Sequence, residues 1–198
     1  MTKRIIDIAV SLSLLLISAP ILLICYLIAC ADTGSNGLFF QKRVGRYGRL
    51  FTIYKLKTLH PKTGNISAIG AFFRRYKIDE VPQFFNVLAG SMSLVGPRPD
   101  IEGYYDKLTG EARKILELKP GITSLAALKY KQEDSLLSLQ PDPQRYNDEH
   151  IFPDKVRMNL SYYYNRSLRT DFRILLMTIF PIKKKKHWAS GKPVKFSR

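Results

Sequence analysis

Cysteine is scarce in this sequence, acid is the minority charge, and the familiar nucleotide and hydrolase signatures are missing. The two cysteines, Cys25 and Cys30, lie five residues apart in an apolar run, where a helix would not present them to one another. Neither a disulfide nor a metal site is expected there. There is no zinc spacing, Walker loop, Gly-x-Ser-x-Gly or dinucleotide fingerprint, and the last third has no recognisable repeat. Sixteen acidic residues stand against 32 basic ones, a formal charge of +16. That excess calls for an anionic partner, whether nucleic acid, phospholipid surface or phosphorylated substrate, and charge alone does not choose. At 198 residues the chain can bury one core, so one catalytic or binding unit with appended segments is the natural expectation.

Charge is also missing from residues 8–31. As a helix this stretch would reach roughly 36 Å, enough to cross a hydrocarbon core of about 30 Å. Three readings compete: a spanning helix, a cleaved signal sequence, and a helix that enters the bilayer and turns back. Lys3 and Arg4 precede the segment, while Lys42, Arg43, Arg46 and Arg49 follow it. Neither flank therefore looks extracytoplasmic. Pro20 removes an N–H near the middle and can kink a helix, and Ser18 beside it could satisfy a freed carbonyl. The basic start, the small residues Ala29-Cys30-Ala31 and the run Leu27 to Cys30 keep an exported lipoprotein open.

Beyond a turn-rich exit at residues 32–37, residues 38–44 and 50–59 read as two strands of a hairpin. Alternation puts Lys55 and Lys57 on one face of the second strand, where they could grip phosphate or simply meet solvent. A basic helix is expected over residues 69–76. The acidic pair Asp79-Glu80, then Pro82, and Gly90 at the far end bound a short helix. Val81, Phe84, Phe85 and Leu88 mark its packed face. Gly96-Pro97-Arg98-Pro99 is a stiff loop holding one arginine, and a further helix is expected over residues 101–118. Residues 160–179 mix apolar and aromatic side chains with Arg166, Arg169 and Arg173 as an interfacial helix would, and Lys183 to Lys186 with Trp188 extend a basic rim.

Arg74, Arg75, Asp79, Glu80 and Arg98, with Lys55 beneath them, are the polar residues placed together. Asp79 and Glu80 could merely complement a helix start. Carboxylates among arginines at such a start are also what a divalent metal and a diphosphate require.

With these residues in view, the chain resembles the bacterial sugar transferases, the monotopic phosphoglycosyl transferases that initiate glycan assembly. The similarity begins at the Lys-Arg-x-x-Asp start and runs through Phe40-Gln41-Lys42-Arg43-Val44-Gly45 and Phe51-Thr52-Ile53-Tyr54-Lys55. It is strongest from Asp79 to Leu88 and from Met92 to Pro99, and continues in Lys119-Pro120-Gly121-Ile122-Thr123 and Asp171-Phe172-Arg173-Ile174-Leu175.

The resemblance implies an α+β fold, mostly helical with a small β-hairpin. It implies a monotopic membrane protein whose N-terminal helix is re-entrant and broken at Pro20, with interfacial amphipathic helices. Residues 1–31 would form the membrane hairpin and residues 32–198 the catalytic domain, on the cytoplasmic face of the bacterial inner membrane. Asp79 would be the nucleophile that takes a sugar phosphate from a UDP-sugar before undecaprenyl phosphate displaces it. Glu80 would assist, and both would hold Mg²⁺. Lys55, Arg74 and Arg98 would contact phosphates, with Pro97 and Pro99 fixing the arginine loop. The implied partners are the UDP-sugar, undecaprenyl phosphate and phospholipid; nucleic acid is not expected, and a homodimer is left open.

The departures are Ala19-Pro20 where relatives often have Ser-Pro, and the segment from Ser124 to Tyr130 where many have Gly-x-x-Gln-Val. Residues 146–153 are longer than in the smallest members. These regions would bear on the donor sugar or on partners.

Overall fold

In the computed structural model, which describes residues 2–180, the chain divides into two compact units. Among the described residues, the first comprises 2–45 and 49–93, the second 46–48 and 94–180.

The first unit opens with α1 (Thr2–Thr33), long and apolar enough to cross a membrane. Helical hydrogen bonding continues through Pro20. Ser18 Oγ donates to Leu14 O at 2.6 Å. This is the ordinary bond of a helical serine to the carbonyl four residues back. It is not a bond to the Leu16 carbonyl that Pro20 deprives of a donor.

The hairpin follows as expected, with β1 (Leu38–Val44) antiparallel to β2 (Leu50–Leu56), pairing Leu38 with Leu56 and Val44 with Leu50. β2 ends at Leu56, three residues earlier than the sequence suggests, and the chain turns into α2 (Ala68–Arg75). Ser67 caps α2 by accepting from Gly70 N and donates to Asp32 Oδ2, which ties the cap to the end of α1. Cys25 and Ala29 of α1, Leu56 of β2 and Phe73 of α2 form a small core. The cysteines are free, as expected, and Cys30 Sγ accepts from Gly37 N.

A single 3₁₀ turn, Ile78–Glu80, leads into α3 (Gln83–Ala89), which Gly90 ends in the left-handed region at φ 89°. The packed face of α3 differs from the apolar stripe read in the sequence. Gln83, Asn86 and Val87 are buried, whereas Phe85 is exposed. Asn86 reaches β2, donating to Thr52 O at 2.7 Å and accepting from Tyr54 N at 3.1 Å. Those two bonds turn the polar side inward.

β3 (Ser93–Val95), whose last two residues open the main stretch of the second unit, and β4 (Gly121–Thr123) form a two-stranded sheet. The helix expected over residues 101–118 does not form; two 3₁₀ segments, Tyr105–Lys107 and Gly110–Glu117, stand there instead. Gly103 at φ 104° and Gly110 at φ 55° break the helical path. The divergent segment folds as three short helices, α4 (Leu125–Lys129), α5 (Glu133–Leu137) and α6 (Pro143–Tyr146), and a π turn. The stretch read as one interfacial helix is two, α7 (Phe152–Asn165) and α8 (Leu168–Ile179). Arg166 is extended between them and Ser167 restarts the helix by accepting from Thr170 N. The Lys183 to Lys186 and Trp188 rim lies outside the described residues.

Candidate functional site

The expected polar cluster forms around the turn before α3. Two neighbouring carboxylates meet different surroundings there. Glu80 Oε1 lies 3.1 Å from Lys55 Nζ and 3.7 Å from Lys77 Nζ. Asp79 is 7% exposed, and its Oδ1 has no hydrogen-bond partner among the described residues. A buried carboxylate oxygen without a donor is costly and calls for a chemical reason.

Burial raises the Asp79 carboxyl above the ordinary aspartate range, and the Glu80 charge raises it further; Lys55, Lys77 and Arg74 oppose the rise. Desolvation disfavours the charged form, and those three cations are what limit its effect. Arg74 is held by donating from Nε to Thr58 Oγ1 at 2.8 Å, within the strand exit that α2 packs against.

The structure thus brings Lys55, Arg74, Asp79 and Glu80 together. Lys57 is not one of them: its Nζ goes to Ser35 Oγ at 3.0 Å. Arg75 lies with its guanidinium 5.8 Å from the Tyr76 ring centroid. Sequence reasoning missed Lys77, a non-glycine residue at φ 59° whose left-handed backbone begins the acidic turn. Its nearness to Asp79 in sequence was a signal. Thr58 and Asn86 were also missed, because their partners lie 16 or more residues away.

Pro97, Arg98 and Pro99 belong to the second unit. Pro97 is buried, Arg98 is exposed and Pro99 is half-buried. The loop is pinned at its root: Gly96 N donates to Thr123 O, and Gly121 N donates to Pro97 O at 2.8 Å. A Cβ on Gly121 would stand 2.1 Å from Gly96 N, so both strands need a bare backbone there.

No group of three or more His, Cys, Asp or Glu able to hold a metal occurs among the described residues. Two hard carboxylates suffice for a magnesium ion that keeps several waters and shares substrate phosphates. Asp79 and Glu80 fit that donor set, and Asp79 Oδ1 is a buried oxygen without a hydrogen-bond donor.

The bacterial sugar transferase family profile matches residues 1–185. The chain is 32% identical over 187 residues to the galactosyl transferase CpsE of Streptococcus agalactiae, covering 80% of this chain and 38% of that protein. It is 30% identical over 187 residues to the uncharacterized sugar transferase EpsL of Bacillus subtilis, covering 89% and 85%. With the UDP-glucose:undecaprenyl-phosphate glucose-1-phosphate transferase of Caulobacter vibrioides it shares 29% identity over 192 residues, covering 89% and 68%.

Proposed function

Because the chain belongs to the bacterial sugar transferase family, we propose that it is a phosphoglycosyl transferase moving a sugar 1-phosphate from a UDP-sugar to undecaprenyl phosphate. The activity for which the Caulobacter relative is named supports the donor and acceptor classes. The observation that carries the mechanism is the contrast within the acidic pair: Glu80 is ion-paired, while Asp79 keeps a buried oxygen without a hydrogen-bond donor.

In this reading the Asp79 carboxylate attacks the β-phosphorus of the UDP-sugar. A new P–O bond forms, the bond from that phosphorus to the bridging oxygen breaks, and its electron pair leaves with UMP. A phosphate oxygen of undecaprenyl phosphate then attacks the same phosphorus, and the Asp79 carboxylate departs with the bonding pair. An anion must attack an anion in both steps, so the cations decide the barrier. Lys55 and Lys77 hold Glu80 and counter its charge. Arg74, positioned by Thr58, adds positive field at Asp79. The part of Arg98 as a phosphate contact, with Pro97 and Pro99 stiffening its loop, rests on the family resemblance. Mg²⁺ held by Asp79 and Glu80 would supply charge neutralisation and in-line orientation of the phosphates.

The apolar helix and the lipid acceptor support work at the inner membrane, with a re-entrant α1. Both ends of α1 pack within one unit, Arg4 against α3 and Cys25 with Ala29 against β2 and α2, while residues 16–24 contain no buried side chain. Contacts of both ends with the same unit support a helix that dips into lipid and returns. Cleavage before Cys30 would remove Cys25 and Ala29 from that core, which argues against the lipoprotein reading.

The test is full-length protein in detergent with Mg²⁺ and a panel of UDP-sugars, scored by UMP release. Mass spectrometry of the enzyme without acceptor is expected to find a phosphosugar on Asp79. An adduct on another residue, or an active Asp79→Asn variant, overturns the assignment.

A further inference from the structure

Two of the charged side chains in the first turns of α1, Arg4 and Asp7, are not used by the chemistry above. Arg4 is directed at the end of α3, the element that follows Asp79 and Glu80, and Asp7 at Ser93, the first residue of β3. Arg4 donates from Nη1 to Val87 O and from Nη2 to Leu88 O, the latter at 2.8 Å. These carbonyls lie in the last turn of α3, where Val87 O also accepts from Gly90 N at 3.0 Å, and a cation there complements the negative helix end. One turn further, Asp7 is 4% exposed and accepts from Ser93 Oγ at 2.8 Å, just past the end of α3. The seam is dry: Val87 and Ser11 are each 0% exposed and Ser93 1%.

A helix of seven residues has little stability of its own, so external contacts decide where it sits. β2 holds α3 through Asn86, and that strand also supplies Lys55 to Glu80. The other hold comes from α1. The acidic turn enters α3 directly through Val81 and Pro82, so a displacement of α3 displaces Asp79.

We propose that Arg4 and Asp7 are positioning residues for the nucleophile, and that α1 sets where Asp79 stands in addition to anchoring the chain in lipid. This rests on the reading of Asp79 given above. Its consequence is that the half-reaction with the soluble donor depends on the first turns of a membrane helix, although no lipid acceptor takes part.

The experiment is single-turnover formation of the Asp79 adduct from a UDP-sugar, without acceptor, in full-length detergent-solubilised protein. Arg4→Ala is expected to slow adduct formation roughly 10–100-fold, the range for a small misplacement of reacting groups, with the half-saturating donor concentration within about twofold of wild type. Arg4→Lys keeps a cation and donor at the same carbonyls and should recover part of the rate. Ser93→Ala removes the bond to Asp7 with little change of volume and should slow the same step. Circular dichroism confirms that each variant is folded.

Wild-type rates in both Arg4→Ala and Ser93→Ala overturn this inference alone. So does a loss confined to donor affinity. Wild-type turnover without an adduct on Asp79 overturns the nucleophile reading and this inference with it.

Discussion

Asp79 carries opposing demands. Its carboxyl is raised above the ordinary range first by burial and then by Glu80, so the folded state binds its proton more tightly than the unfolded chain does. The resulting stability is complete below the unfolded value and is lost as pH rises through the folded one. At neutral pH an ionised Asp79 therefore destabilises the fold. Asp79→Asn is expected to raise Tm by a few degrees at neutral pH, with the gain vanishing in acid, while lowering kcat by about 10³ or more. Differential scanning fluorimetry across pH and UMP release measure the two halves. The same shift sets activity: the acid limb of kcat/KM should fall above the ordinary carboxylate range, because that limb reports the free enzyme. The acidic pair could be picked out in the sequence. Which of its members is buried could not, since Lys55, which pairs with Glu80 at 3.1 Å, comes from 25 residues away.

Among the elements, local signals worked where neighbours in sequence decide the outcome. The Gly90 stop and the hairpin depend on residues within a few positions, and the expected α2 and β1 stand close to where they were read. They failed where tertiary contacts outweigh periodicity. α3 turns Asn86 inward because two backbone groups of β2 need it, which leaves Phe85 outside. The sheet of β3 and β4 was not foreseen as a sheet; its strands are three residues each and approach over two glycines. Gly121→Ala would push a methyl against the Gly96 backbone, which has no flexible side chain to yield. It should cost about 1–3 kcal/mol and disturb the Arg98 loop. Chemical denaturation and the KM for donor report the two effects.

On the scale of the chain, α1 becomes a link between lipid and chemistry under the two proposals above. Arg4 and Cys25 pack in one unit and the middle of the helix is exposed; the re-entrant path proposed above would put both ends on the cytoplasmic side. Cysteines introduced at residues 2 and 35 should both resist a membrane-impermeant thiol reagent added to intact cells, and react after lysis. Labelling of either in intact cells would mark a helix that spans. The free Cys25 and Cys30 need replacing by alanine or serine first, and Cys30 is the more sensitive choice because its sulfur accepts from Gly37.

The sequence by itself determined the long apolar helix, the hairpin, the Gly90 helix stop and the family, because each depends on short-range patterning or on runs of residues read in order. Only the tertiary structure decided which carboxylate loses its water, which lysine answers Glu80, and that Arg4 reaches Leu88 across 84 positions. Desolvation and charge pairing are set by what packs nearby in space, and a linear pattern does not encode that distance. Asp79 owes its unusual carboxyl to those contacts.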